Sequence, residues 1–402
     1  MNNNNENKLV PKLRFPEFKD VRAWEVEEVG NVFEVTRGYV LSMNLVSEEQ
    51  SESNPFPVYS SQTKNNGLAG YYRDFLYEDA ITWTTDGANA GDVNFRKGKF
   101  YCTNVCGVLL NKNGFSNLCV AALINSVARK HVSYIGNPKL MNGVMSKIKI
   151  PLPKIKEQQK IAACLSSLDE IVKTESLKLD LLYKYKKGLL QNLFPQEGET
   201  VPKFRFKQFT KSWKKVKLRD VSLYFNGGSF ENDVKEEGKY ELITLKSINT
   251  NGQLVSSKRF VDIEVQTLAK DTLVMILSEQ APGLLGMTAI IPTANKYVLN
   301  QRVAEIRPSQ EVDSYFLSMA INRNQAYFSK QGAGMKVQNI SKPNVQNYEF
   351  LIPEIQEQKK IASCLSSLDE IISAQNQTLD SLQYHKKGLL QGLFPNLNEV
   401  TE

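Results

Sequence analysis

The sequence predicts a mixed α/β (α+β) chain: two compact domains of strands and helices, separated by a pair of long helices that form an antiparallel coiled coil, the whole duplicated about a pseudo-twofold. Three observations carry this expectation. A segment from Pro153 to Pro195 recurs from Pro353 to Pro395 at an offset of 200, without a gap and with 27 identities in 43 positions. Within it, apolar residues follow a four-three spacing, the signature of a coiled-coil seam. Outside it, short alternating apolar runs are punctuated by Gly and Asn turns, the pattern of small strands.

The duplication extends to the front of each half. Val10–Phe18 (VPKLRFPEF) matches Val201–Phe209 (VPKFRFKQF), and Trp24 and Gly38 match Trp213 and Gly227. The organisation is therefore a domain at 1–152, a helix segment at 153–195, a second domain at 196–352, a second helix segment at 353–395 and a tail at 396–402. The two domain bodies resemble each other little. AITWTTDGANAGDV and TLVMILSEQAPGLLGMTAII each read as strand, polar Gly-rich loop, strand. One helix is expected in each body, near Leu118–Val127 and Ser314–Asn322.

In the first helix segment the seam holds Ile161, Leu165, Leu168, Val172, Leu179, Leu182, Leu189 and Leu193. In the second it holds Ile361, Leu365, Leu368, Ile372, Leu379, Leu382, Leu389 and Leu393. The same two places are interrupted in each copy, by Glu175 and Lys186 and by Gln375 and Lys386. Prolines bound each helix. A single helix of roughly 50 Å with one apolar stripe needs a partner, and antiparallel pairing of the two copies supplies one. With the midpoints of the copies aligned, Lys186 falls opposite Leu368 and Glu175 opposite Leu379, poor company for a buried charge. Those four positions leave the register open.

Composition narrows the chemistry. The chain has 402 residues, with 41% hydrophobic and 23% charged, an ordinary globular balance. Two histidines, His131 and His385, argue against imidazole catalysis and His-rich metal sites. Five cysteines form no paired framework, which suits a reducing compartment. Cys102-x3-Cys106 with Cys119 lacks a fourth ligand and reads as buried small hydrophobes. Asn54–Pro55–Phe56–Pro57 reads as a turn. The net charge of +7 is compatible with nucleic acid. No apolar run is long enough for a membrane span, and the start has no apolar signal core, so a cytoplasmic protein without membrane contact is expected.

Two different bodies on one rod suggest a ruler. Half-sites one turn of B-DNA apart lie about 34–36 Å centre to centre. Two bodies facing one duplex would read two different short sequences across an unread gap, a bipartite asymmetric site.

These features resemble the specificity (S) subunit of type I restriction–modification systems. The residues that carry the resemblance are Ile150–Ile171, Leu351–Ile371, Lys186–Phe194 and Lys386–Phe394, with the paired openings VPKLRF and VPKFRF. It covers nearly the whole chain. It implies two target-recognition domains held by an antiparallel coiled coil, and no catalytic activity or metal in this chain. It implies binding to double-stranded DNA, two methyltransferase (M) subunits that use S-adenosylmethionine, and restriction (R) subunits that use ATP and Mg. The other reading of the same features is a free-standing bivalent DNA-binding protein without a methyltransferase partner; an enzyme with a cryptic site is disfavoured by the missing nucleotide loop and metal cluster.

Candidate DNA contacts are polar loop residues able to reach base edges or phosphates. In the first body these are Ser61, Gln62, Lys64, Asn65 and Asn66 in one loop, and Thr85, Asp86 and Asn89 in another. In the second body they are Lys246, Ser247 and Asn249, then Ser278 and Gln280, then Lys336, Gln338 and Asn339. Pro202–Arg219 adds eight Lys or Arg and no acidic residue, a run that could track phosphate.

Overall fold

The computed structural model describes residues 9–61, 65–280 and 283–395. The expected tail at 396–402, together with Gln62 and Lys64, lies outside the described residues. By contacts the chain forms two units. The first joins 1–176 with 377–402, and the second is 177–376. Each long helix, α2 (Ile155–Leu193) and α4 (Ile355–Leu393), thus gives one half to each unit.

The repeated motif residues explain why these helices start where they do. Gln158 and Gln358 reach back to donate to the carbonyls of Pro153 (2.7 Å) and Pro353 (2.9 Å). Their amide oxygens accept from the start of the body helix: from Asn117 Nδ2 at 2.8 Å in the first unit, and from the Asp313 backbone N–H at 3.0 Å in the second. Those two residues are themselves N-caps. Asn117 caps α1 (Leu118–Ala128) through the Val120 N–H, and Asp313 caps α3 (Ser314–Asn322) through the Phe316 N–H. Both body helices lie within a residue of the expected span.

One residue before each glutamine sits the carboxylate that locks the unit. Arg14 grips Glu157 bidentately at 2.7 and 2.8 Å, and Arg205 grips Glu357 at 2.8 Å twice. Both glutamates are buried, 1% and 0% exposed. The arginines come from the repeated VPKLRF and VPKFRF openings. A desolvated fork-on-fork pair is geometrically demanding, so it fixes the opening segment in one place. That segment also bonds the far helix: Leu13 N–H donates to Gly392 O in the first unit, and Phe204 N–H donates to Asn192 O in the second, both at 2.8 Å.

Inside each unit the two helix halves run antiparallel. In the first, Ile161 and Leu165 pack with Leu393, Phe394 and Trp24. In the second, Ile361 and Leu365 pack with Leu193, Phe194 and Trp213. All sixteen apolar seam positions are buried or half-buried. The interrupting lysines find acids one residue from the leucines expected opposite them: Lys186 pairs with Asp369 at 2.5 Å, and Lys386 pairs with Asp169. Each ammonium thus reaches out from the seam to an acid at its edge. Gln375 is buried, 5% exposed, and Glu175 half-buried.

The bodies share an inner frame. In the first unit β1 (Glu25–Glu28) pairs antiparallel with β8 (Lys149–Leu152), which leads into α2. In the second, β9 (Lys214–Lys217) pairs in the same register with β19 (Glu349–Ile352), which leads into α4. The main sheet of the first unit has the order β2-β7-β5-β6-β3-β4, from β2 (Glu34–Arg37), β7 (Cys106–Leu110), β5 (Tyr77–Thr84), β6 (Val93–Cys102), β3 (Phe56–Tyr59) and β4 (Leu68–Tyr72). The second unit splits this into two sheets. One is β10-β17-β13-β15, from β10 (Ser222–Asn226), β17 (Val303–Pro308), β13 (Leu273–Ile276) and β15 (Thr288–Ile290). The other is β12-β11-β16, from β12 (Phe260–Val261), β11 (Tyr240–Ile243) and β16 (Tyr297–Leu299).

The repeated glycines seat each sheet. A Cβ on Gly38 would lie 2.2 Å from Cys102 O, and one on Gly227 would lie 2.0 Å from Asn300 O. Only glycine allows the backbones to approach this closely. Cys102, Cys106 and Cys119 are buried, and burial raises the thiol pKa of each, that of Cys106 to about 11. They are inert core residues rather than reactive thiols.

The basic run at 202–219 is largely consumed by this frame. Arg205 holds Glu357, Lys211 holds Glu354, and Lys215 and Lys217 both face Glu349. Acids far off in sequence neutralise it, which composition of the run itself could not reveal.

Candidate nucleic-acid interface

In the first unit the hairpin between β5 and β6 is closed by Thr84 and Asp92, whose backbones exchange bonds through Gly91 N–H to Thr84 O (2.9 Å) and Thr84 N–H to Asp92 O (3.0 Å). A second loop is stitched beside it. Leu140 N–H donates to Thr85 O (2.8 Å), Gly87 N–H to Pro138 O (3.0 Å), and Lys139 Nζ lies 3.7 Å from Asp86. Ser133 and Lys139 exchange two backbone bonds of 2.9 Å, so residues 133–139 form a narrow finger.

The second unit builds the same pair of loops from other residues. Two short strands, β14 (Ser278–Glu279) and β18 (Gln338–Asn339), pair antiparallel, and Ile340 N–H donates to Leu277 O at 2.9 Å. Ala333 and Asn339 exchange two bonds of 2.9 Å and close a finger at 333–339. Offset by 200, the two fingers coincide residue for residue.

The candidate contacts divide by burial. Asn65, Asn66, Lys246, Gln280, Lys336 and Asn339 are exposed; Ser61, Asp86, Asn89, Asn249 and Gln338 are half-buried. Thr85, Ser247 and Ser278 are buried at 0%, 0% and 1%. Thr85 Oγ1 donates to Asp86 at 2.7 Å and Ser247 Oγ accepts from Thr244 N–H at 2.9 Å, so these hydroxyls shape turns rather than face outward. Asn249 does the same, accepting from Asn251 and Gln253 N–H at 3.0 Å each.

Asn66 and Asn89, from different loops, meet at a polar cavity of about 190 Å³ that Asn94, Asn125, Asp92 and Arg96 also line. Arg96 was not visible as a site residue in the sequence. Its guanidinium donates to Thr82 Oγ1 (3.0 Å) and Asn66 O (2.7 Å) and lies 3.7 Å over the Tyr59 ring. Burial lowers its pKa. Lys139 and the finger tip Tyr134–Ile135 were also missed, although the 200-residue offset maps them beside the named Lys336, Gln338 and Asn339.

Among the described residues no group of three or more His, Cys, Asp or Glu could hold a metal ion, and no helix is long and apolar enough to cross a membrane.

The family model for the type I restriction modification DNA specificity domain matches residues 22–182 and 210–384, most of each half. The chain belongs to this family. A type I specificity subunit of Mycoplasma pneumoniae is 26% identical over 389 residues, covering 92% of this chain and 98% of the relative. The MjaVIII specificity subunit of Methanocaldococcus jannaschii is 23% identical, covering 95% and 93%. The crystal structure of a type I restriction–modification S subunit from M. genitalium aligns with a TM-score of 0.68 at 16% identity, over 96% of this chain and 99% of that one, and shares the fold. The duplicated frame of Arg14, Glu157 and Gln158, with Arg205, Glu357 and Gln358, is thus the frame of a specificity-domain pair.

Proposed function

We propose that this chain is the non-catalytic DNA-reading subunit of a type I restriction–modification complex, with each unit reading one half of a bipartite, asymmetric site. One observation carries the reading. The stitched pair of loops occurs once per unit, in the same place on the same frame, with almost no side chain in common. A repeated frame with unlike contact residues is what two different half-site words require. The two long helices, each shared between the units, hold two methyltransferase subunits and set the half-site spacing. Methyl transfer with S-adenosylmethionine, and ATP- and Mg-dependent restriction, belong to the M and R partners, in the cytoplasm; this chain needs no cofactor of its own.

The test is methylome sequencing of a host that expresses the chain with its M subunit, before and after residues 25–150 are exchanged for the matching body of a relative. One half-site should change and the other persist. Both changing together would end independent reading. Adding seven residues after Val172 and again after Ile372 keeps both heptad frames and lengthens each helix by ~10.5 Å. The gap should lengthen by about three base pairs or activity should fall; normal activity with an unchanged gap excludes the helices as the ruler. A chain that binds such a site but never co-purifies with a methyltransferase would instead be a free-standing bivalent binder.

A further inference from the structure

The finger tips carry something the polar loops do not. Ile135 is 95% exposed and Met335 104% exposed. A single exposed apolar residue on a surface is ordinary. Here two occupy the same place, 200 residues apart, in fingers that otherwise differ: Ser-Tyr-Ile-Gly-Asn-Pro-Lys against Ala-Gly-Met-Lys-Val-Gln-Asn. Each finger is closed by its backbone. Its base is clamped by two backbone bonds of 2.9 Å, and a glycine in the left-handed region turns it, Gly136 at φ +75° and Gly334 at φ +126°. Each finger is stitched to the neighbouring contact loop, through Asp86 and Lys139 in one unit and through Ser278 and Asn339 in the other.

We propose that Ile135 and Met335 are wedges that enter between stacked base pairs of double-stranded DNA, one per unit; this rests on the DNA-reading function above. The chemistry favours a base step over a protein groove. Protein docking needs a contiguous apolar patch, whereas each finger tip is narrow: Ile135 stands beside the exposed Tyr134 with Lys139 at the finger's base, and Met335 stands beside Lys336 with Gln338 nearby. A wedge needs one side chain to replace the stacking of a step, with cations beside it to hold the phosphates. The bend or opening produced would let the flanking loops reach base edges they could not meet on a straight duplex.

The experiment uses the full chain and duplexes of about 40 base pairs, long enough for two half-sites a turn or more apart, enriched by the chain from a randomised pool. 2-Aminopurine replaces each base in turn. Fluorescence should rise at one step in each half-site. Ile135→Ser should abolish one rise and Met335→Ser the other, each weakening the duplex about tenfold. Ile135→Leu should restore the signal, and thermal melting of all variants should match the wild type because the tips are solvated. If no duplex is enriched, the DNA-reading function falls and the wedges with it. If duplexes are enriched but no fluorescence depends on either tip, only the wedges are wrong. A Ser variant that keeps every fluorescence signal yet loses a co-purifying protein would assign the tip to that protein and overturn the proposal.

Discussion

The two units use the same lock but do not finish it alike. In the second, Trp213 Nε1 donates to Glu357 at 3.3 Å, adding a second donor residue and a third bond to the Arg205–Glu357 pair. In the first, Trp24 is equally buried, yet its Nε1 finds no hydrogen-bond partner among the described residues. The edge of the seam differs in the same sense. Asp369 receives both Lys186 and the hydroxyl of Tyr315, which burial, with this bond, holds protonated well above the ordinary tyrosine range. Asp169 receives Lys386. Repeated residues make the primary contact in both units, while the secondary contacts differ both where the residue repeats, as Trp24 and Trp213 do, and where it does not, as at Tyr315. The duplication preserves a frame and leaves its reinforcement free to drift.

That comparison can be broken most forcefully at the locks. Glu357→Ala leaves the half-buried Arg205 guanidinium without its carboxylate and Trp213 without its acceptor, and should cost about 3–5 kcal/mol. Glu157→Ala should cost less by about 1 kcal/mol, the value of the missing Trp bond. Denaturant melts, with hydrogen exchange to locate the loss, would show it; equal losses would mean the Trp213 bond contributes nothing. Gly38→Ala and Gly227→Ala each drive a methyl into a backbone carbonyl and should cost about 1–3 kcal/mol, alike in both units. A clear inequality would show that one sheet yields more readily. Tyr315→Phe should cost about 1 kcal/mol and should loosen exchange only in the second unit. Smallest are Lys186→Met and Lys386→Met, at the helix edges and partly solvated, expected within about 1 kcal/mol of wild type and reduced further by salt. A larger loss at either lysine would mean that the seam, rather than the lock, dominates its unit.

The frame was legible because it is periodic and repeated. A four-three apolar spacing lays its apolar residues along one face, and the apolar seam positions from Ile161 to Leu193 and from Ile361 to Leu393 are all buried or half-buried. The four interrupting positions left the register open, and the structure gives the two lysines acids at the seam's edge, Asp369 and Asp169, beside the leucines that midpoint alignment sets opposite them. The body sheets were legible as strands but not in their order: β3 joins β6 in parallel while β11 joins β16 in a separate sheet, pairings set by distant contacts. The polar loops were legible as loops, but Thr85 and Ser247 spend their hydroxyls on turns and Ser278 buries its own, and residue type does not announce direction. Ile135 escaped notice because an apolar residue reads as core until its surroundings are known.

The division of the long helices has a consequence for synthesis. The second unit is contiguous, from 177 to 376, whereas the first needs residues from both ends of the sequence. Trp24, Ile161 and Leu165 wait for Leu393 and Phe394 to complete their cluster. Domains commonly fold as the ribosome delivers them, N-terminal first. Here the order inverts: the unit begun first is finished last. Until the final turns of α4 emerge, the cluster around Trp24, Ile161 and Leu165 stays open to water or to a chaperone. A released chain truncated after residue 376 should therefore protect its second unit from protease while the first is still being cut.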